Sequence, residues 1–137
     1  MIRILVVDDH KFVRSGVCGV LREADDVEVV GECSDGDQLI PTVLRTRPDV
    51  VLMDVRMPLR SGFIATRDLL DAVGTVRVVM LTGCLSGPWL TEAAQAGAVG
   101  YLLKGDEPSS LLSAIRTVAA GGTAWPPAGA IGIAATT

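Results

Sequence analysis

Asp8 and Asp9 follow the apolar run Ile4-Leu5-Val6-Val7, Asp54 follows Val50-Val51-Leu52-Met53, Thr82 follows Val78-Val79-Met80-Leu81, and Lys104 follows Leu102-Leu103. Each polar group stands where an apolar strand would end, and in an open α/β sheet that edge is where ligands collect. Carboxylates gathered there repel one another, which raises their pKa values unless a cation intervenes. A hard divalent ion with oxygen ligands is the natural remedy, and magnesium fits best: it takes one or two carboxylates, keeps several waters and leaves a position for an incoming phosphoryl oxygen. Singly, each residue has an ordinary reading. An acidic pair after a strand is often a solvated turn or helix cap, a lysine is often surface solvation, and a threonine is often a turn residue. Asp54 is the least ordinary, because an unpaired charge closing so apolar a run is costly. The joint occurrence at successive strand ends is what points to a site.

The elements that must position these groups are legible in the patterning. Short β-branched runs alternate with amphipathic stretches, the pattern of stacked βαβ units around a parallel sheet. The predicted strands are Ile2–Val7, Val27–Cys33, Asp49–Met53, Val76–Leu81 and Val99–Leu103, and the continuously apolar ones read as buried on both faces. The first helical stretch sets Phe12, Val13, Gly16, Val17, Val20 and Leu21 on one side and leaves Arg14, Arg22 and Glu23 for water; the last repeats the pattern with Leu111, Leu112, Ile115, Val118 and Ala119. Asp35-Gly36 opens the second helix, Ser61-Gly62 opens the third, and Gly97 closes the fourth. Pro41 predicts a late start or a kink in the second helix. Pro88 reads as the first residue of a shortened fourth helix, and Trp89 as a core ring in preference to a surface contact. After Ala120 the sequence Gly121-Gly122-Thr123-Ala124-Trp125-Pro126-Pro127 and the Gly/Ala/Ile/Thr stretch beyond it read as a linker or tail, so that residues 1–122 form one domain and 123–137 lie outside it.

Composition narrows the function classes. A chain of 137 residues with 49% hydrophobic and 20% charged side chains reads as one soluble globular domain with a core large enough to need no disulfide or metal staple. A formal charge of −4 without a Lys/Arg cluster argues against DNA binding by this chain alone. No apolar run approaches the ~20 residues of a membrane span, and no signal-peptide pattern follows Met1. Cys18, Cys33 and Cys84 lack redox or zinc spacing and read as reduced cytoplasmic thiols.

The ordered set Val6-Val7-Asp8-Asp9-His10, Pro48-Asp49-Val50-Val51-Leu52-Met53-Asp54-Val55-Arg56-Met57-Pro58, Leu81-Thr82-Gly83 and Ala96-Gly97-Ala98-Val99-Gly100-Tyr101-Leu102-Leu103-Lys104 resembles the receiver domains of two-component response regulators. The resemblance covers about Met1 to Gly122 and is nearest to the NarL/FixJ-type subfamily. It implies a flavodoxin-like, doubly wound five-stranded parallel sheet in the order 2-1-3-4-5, with helices on both faces. It implies phosphorylation of Asp54 by a sensor histidine kinase, with Asp8, Asp9, Asp54 and the backbone carbonyl of Arg56 serving magnesium. Lys104, Thr82 and a backbone N–H near Gly83 would take phosphoryl oxygens, in keeping with the three equatorial oxygens such a group presents. Thr82, drawn toward the phosphoryl group, would vacate space for Tyr101, which makes this pair the switch. Subfamily members usually continue into a helix-turn-helix domain; here the sequence stops inside what would be the linker, so DNA would be reached only through a domain absent from this chain. A homodimer is compatible with the family, through the fourth and fifth helices or the first and fifth.

The sequence also departs from the pattern. Gly83-Cys84-Leu85-Ser86-Gly87-Pro88-Trp89 replaces the small and acidic residues common after the threonine, and Gly105 follows Lys104 where relatives often carry Asp or Pro. Arg56 and Arg60 flank the site as candidate anion attractors or solvated surface groups. His10 reads as a partly exposed helix-start residue, and Cys84 as an inert thiol. Two other classes stand beside the phosphorylated switch: a pseudo-receiver acting as a phosphorylation-independent interaction module, and a hydrolase with an aspartyl-phosphate intermediate. The hydrolase is the weakest, since His10 and Lys11 supply no acid/base carboxylate two residues after the first acidic one.

Overall fold

The computed structural model describes residues 1–57 and 60–126. In chain order the elements are β1 (Ile2–Val7), α1 (Lys11–Arg22), β2 (Val27–Cys33), α2 (Leu39–Thr46), β3 (Val50–Asp54), α3 (Gly62–Ala72), β4 (Arg77–Thr82), α4 (Gly87–Ala96), β5 (Gly100–Leu103) and α5 (Pro108–Ala119). All strand pairings are parallel and the order is β2-β1-β3-β4-β5, as the alternation and the resemblance imply. Period-two alternation sends the side chains to two separate cores. Leu5, Val7, Val51, Met53, Val78 and Met80 face one side, where Leu39 and Val43 of α2, Phe63 and Leu69 of α3 and Ala93 and Ala96 of α4 cover them. Ile4, Val6, Val50, Leu52 and Val79 face the other, covered by Cys18 and Leu21 of α1 and Ile115 and Val118 of α5.

Strand ends shift slightly from those read in the sequence. β3 ends on Asp54 and β4 on Thr82, because these residues stay in the ladder: Asp54 pairs with Leu81 and Thr82 with Leu103. Apolar runs report burial, whereas the strand bounds report backbone pairing, so polar terminal residues go unseen.

The face of α1 is a correction. Phe12 is 94% exposed and Gly16 is exposed, while Cys18 and Leu21 are the buried positions. Nor is Arg14 left to water: its guanidinium donates to the carbonyl of Asp8 at 2.6 Å and to Glu32 at 3.0 Å. The buried arc is therefore rotated toward Arg14, Val17, Cys18 and Leu21, and Glu32 at the end of the neighbouring strand supplies the partner that a helical repeat cannot show.

Pro41 gives the late start and not a kink. α2 begins at Leu39, so Pro41 falls in the first turn, where a missing N–H costs little. Asp35 caps the turn before it, accepting from the N–H groups of Asp37 and Gln38 at 2.9 and 3.1 Å. Ser61 caps α3 by accepting from Ile64, and Gly97 closes α4 at φ +101°, as expected. Ser86 caps α4, Gly87 is its first residue and Pro88 follows, so the helix starts one residue earlier than Pro88 predicts. Trp89 is half-buried, edge-on to Phe63 with ring centroids 6.2 Å apart. The tail expectation also changes: Ala124 bridges Gly100 and Trp125 packs against the core, so the ordered body runs past residue 122. Residues 127–137 lie outside the described residues, as do Pro58 and Leu59.

Candidate functional site

The parallel register delivers the polar groups to one rim. Val7 lies opposite Met53, Met53 opposite Met80, and Thr82 opposite Leu103. The residues that follow are anchored by main-chain bonds continuing the ladder: Asp8 N–H donates to Cys33 O at 3.0 Å, and Lys104 N–H to Thr82 O at 2.7 Å. Asp8, Asp54 and Thr82 are buried, and only 19% of the Lys104 side chain is exposed. Lys104 Nζ lies 2.8 Å from Asp8 Oδ2 and 3.0 Å from Asp54 Oδ1, so one ammonium bridges two carboxylates. One positive charge against that acidic group leaves the cluster under-compensated.

The electrostatic consequence falls on Asp54. Burial, reinforced by the charge of Asp8, pushes its carboxyl up from 3.8 to about 6, against the opposing pull of Lys104 and the Arg56 N–H. Lys104 moves upward too: burial alone would lower it, but Asp8 and Asp54 together outweigh that.

The chemistry of the donor set fits a hard cation. Oxygen or nitrogen atoms of Asp8, Asp9, His10 and Asp54 all lie within 4.8 Å of one another. Asp54 Oδ2 is buried and has no hydrogen-bond partner among the described residues. Asp8 Oδ2 and Asp9 Oδ1 face Lys104 Nζ at 2.8 Å and His10 Nδ1 at 3.1 Å, close contacts not aligned as hydrogen bonds. Buried carboxylate oxygens left this way favour an oxygen-seeking divalent ion. Beside them opens a cavity of about 300 Å³ bordered by Asp54, Thr82, Gly83, Trp89 and Lys104.

A family model for the response regulator receiver domain matches residues 4–116. The chain belongs to this family of receiver domains. Response regulator GacA of Pseudomonas viridiflava is 45% identical over 121 residues, covering 88% of this chain and 56% of that protein. Response regulator UvrY of Escherichia coli (strain K12) is 41% identical over 121 residues, again 88% of this chain and 56% of that protein. Among solved structures, a LuxR-family two-component response regulator from Aurantimonas sp. SI85-9A1 is similar with a TM-score of 0.89 at 32% identity, covering 98% of this chain and 94% of that one. The chain spans just over half the length of the curated relatives it matches.

In this receiver domain Asp8, Asp9, Asp54, Thr82 and Lys104 converge on the one rim, and other residues fill in around them. Arg56 donates its N–H to Asp54 Oδ1 at 3.3 Å and lays its guanidinium 5.1 Å above the Trp89 ring, while Arg60 is paired with Asp68 at 2.8 Å. Trp89 is thus a wall of the cavity, a role between the core and surface readings. His10, 63% exposed, reaches the acidic cluster all the same. Cys84 is exposed at the cavity rim, while burial pushes the Cys18 thiol up to about 11 and raises that of Cys33. Tyr101 is fully buried and its hydroxyl donates to the Cys84 carbonyl at 3.0 Å, so the ring already occupies the interior seat it was expected to enter.

Two supporting residues escaped the sequence reading. Arg14 fixes the loop after β1 through the Asp8 carbonyl. Gly62 lets α3 press against β3: a Cβ there would collide with the carbonyl of Asp54, and the Gly62 N–H donates to Val55 O at 2.8 Å. Its place beside a capping serine gave a helix-start signal, with no hint of the contact behind it.

Proposed function

We propose that this receiver domain is a phosphorylation-controlled switch with Asp54 as its phosphoacceptor. The observation that carries the reading is the Asp54 carboxylate itself: buried at the floor of an open cavity, one oxygen 3.0 Å from Lys104 and the other partnerless among the described residues. At neutral pH, above its raised pKa of about 6, it is ionised and needs no general base. Its oxygen attacks the phosphorus of a phosphohistidine on a sensor kinase; the P–N bond breaks as the P–O bond of an acyl phosphate forms, and the departing imidazole takes a proton. Lys104 neutralises one developing phosphoryl oxygen and the Thr82 hydroxyl, with the nearby loop N–H groups, meets another. Asp8, Asp9, Asp54 and the Arg56 carbonyl would hold magnesium, which when bound offsets the repulsion between carboxylate and phosphoryl group. Water later replaces Asp54 on the phosphorus and resets the switch, so the output is a signal and not metabolic turnover.

The domain would act within a longer regulator, its altered surface read by a helix-turn-helix domain or by a second copy, in the cytoplasm. No helix among the described residues is long and apolar enough to cross a membrane. The test is mass spectrometry after acetyl phosphate and magnesium. One phosphoryl adduct, lost in Asp54→Asn, is expected; no adduct at Asp54 would leave the pseudo-receiver reading in its place.

A further inference from the structure

His10 is the single histidine of the chain, and it stands where the loop after β1 enters α1. Asp8 Oδ1 accepts the His10 N–H at 2.8 Å, a bond from a side chain to the main chain two residues on that turns the loop back on itself. The imidazole is thereby brought against the carboxylates that precede it. Its Nδ1 lies 3.1 Å from Asp9 Oδ1 and 3.3 Å from Asp8 Oδ1, while the residue also borders the cavity of about 300 Å³ beside Asp54.

Nothing in the phosphoacceptor chemistry uses this nitrogen. Magnesium takes oxygen ligands and gives up its waters reluctantly, so the carboxylates already suit it without the ring. Imidazole suits a different class of ion, in which zinc, nickel, copper and iron stand together. The spacing suits that class as well. Donors about 2.1 Å from one ion stand about 3.0 Å apart at right angles and about 3.4 Å apart at the tetrahedral angle. The separations of His10 Nδ1 from Asp8 and Asp9 fall between those two values. A further donor is available in Asp54, which is 3% exposed and whose Oδ2 has no hydrogen-bond partner among the described residues. One ligand atom from each of Asp8, Asp9, His10 and Asp54 lies within 4.8 Å of the others.

We propose that His10 supplies a nitrogen ligand that makes the acidic rim a site for zinc and other borderline divalent ions as well as for magnesium. The proposal rests on reading that rim as a cation site, and it is independent of whether Asp54 is phosphorylated. In the zinc form the ring's proton resides on Nε2, and the lone pair of Nδ1 takes the ion between Asp8, Asp9 and Asp54. Four protein donors then surround it, whereas magnesium uses the oxygens alone. A ring serving only as a hydrogen-bond donor to Asp8 and Asp9 would be pushed aside by any arriving cation.

Nitrogen NMR of the untagged chain reads the ring without overlap, since no other histidine is present. Saturating zinc should move the Nδ1 resonance to that of a metal-bound imidazole nitrogen, and saturating magnesium should leave it that of a free ring. Affinities are then compared by calorimetry in a Cys84→Ser background, which removes the exposed thiol at the cavity rim as a zinc ligand. His10→Ala should weaken zinc binding by about tenfold or more, the loss that removing even a supporting partner of a ligand produces. Its magnesium affinity should be unchanged, which also shows that the loop keeps its fold. Equal zinc affinity in the two proteins, or an Nδ1 resonance unmoved by zinc, overturns the proposal and leaves the magnesium reading standing. Loss of both ions in His10→Ala overturns the selective role of the ring. Binding of neither ion to the wild type overturns the cation site itself.

Discussion

Replacing Asp54 by asparagine should make the metal-free domain more stable at neutral pH, against the usual effect of altering a buried polar residue. The folded carboxyl is raised from 3.8 to about 6, chiefly by burial and then by Asp8. The folded chain thus holds this proton more tightly than the unfolded chain does. Stability from this group is fully present below 3.8, is lost as pH rises toward about 6, and stays level above that. At about 1.36 kcal/mol per pH unit the loss comes to about 3 kcal/mol. The amide of the variant cannot titrate, so the difference between the variant and wild type should grow by about that amount between about pH 3.5 and about pH 7.5. Urea denaturation in a chelator, followed by circular dichroism at both pH values, measures it, and subtraction removes the titration of groups that do not interact with Asp54. Magnesium should return stability to the wild type, by about 2.7 kcal/mol at about a hundred times its dissociation constant, and return less to the variant. Parallel pH profiles for the two metal-free proteins would refute the claim that Asp54 is the strained carboxylate of the cluster.

The converse change, Lys104→Ala, should destabilise the metal-free domain at pH 7 by about 3 kcal/mol or more, because Asp8 and Asp54 lose their shared cation; calorimetry with and without magnesium checks it, and combining it with Asp54→Asn should recover part of the loss. Gly62→Ala should cost about 1–3 kcal/mol in urea midpoint stability, since the added methyl meets the backbone of Asp54 and α3 must shift. Phe12→Ser, by contrast, should change unfolding free energy by no more than about 0.5 kcal/mol, because that ring is 94% exposed despite its place in an apolar-looking helical repeat.

The sheet was legible because parallel strands buried on both faces must be apolar along their whole length, and β1, β3 and β4 carry that requirement openly in the sequence. The rim residues were legible through their joint occurrence: an acidic residue after one apolar run is ordinary, whereas polar groups after four such runs fall on one edge of the sheet. Helix faces were less so. Phe12 and Cys18 differ little as apolar letters, and which of them is buried depends on how α1 is rotated by Arg14, whose partners Asp8 and Glu32 belong to other elements. Gly62 shows the limit in another form, since its need for a missing Cβ arises from the Asp54 carbonyl eight positions away, and a helix-start pattern accounts for a glycine there equally well. The stretch from Thr123 to Trp125 reads as a tail in the sequence because a single bridge between Ala124 and Gly100 has no periodicity to detect.

These failures share a cause that bears on how the domain works. Periodic burial reports the rigid interior, which has to stay the same in every state of a switch. The contacts that periodicity misses, Arg14 of α1 on the Asp8 carbonyl, Tyr101 on Cys84 and the two main-chain bonds between Ala124 and the β5 edge, are isolated hydrogen bonds outside any periodic element. Each such bond contributes about 0.5–1.5 kcal/mol net, and under the phosphoacceptor role proposed for Asp54 that is small enough to be exchanged when charge arrives there. Burial raises the Asp54 carboxyl to about 6, a cost of about 3 kcal/mol to the ionised form at neutral pH that a bound cation would offset. Under the role proposed for Asp54, a phosphoryl group there would redirect the loop after β4 through such weak bonds and leave the cores on either side of the sheet undisturbed.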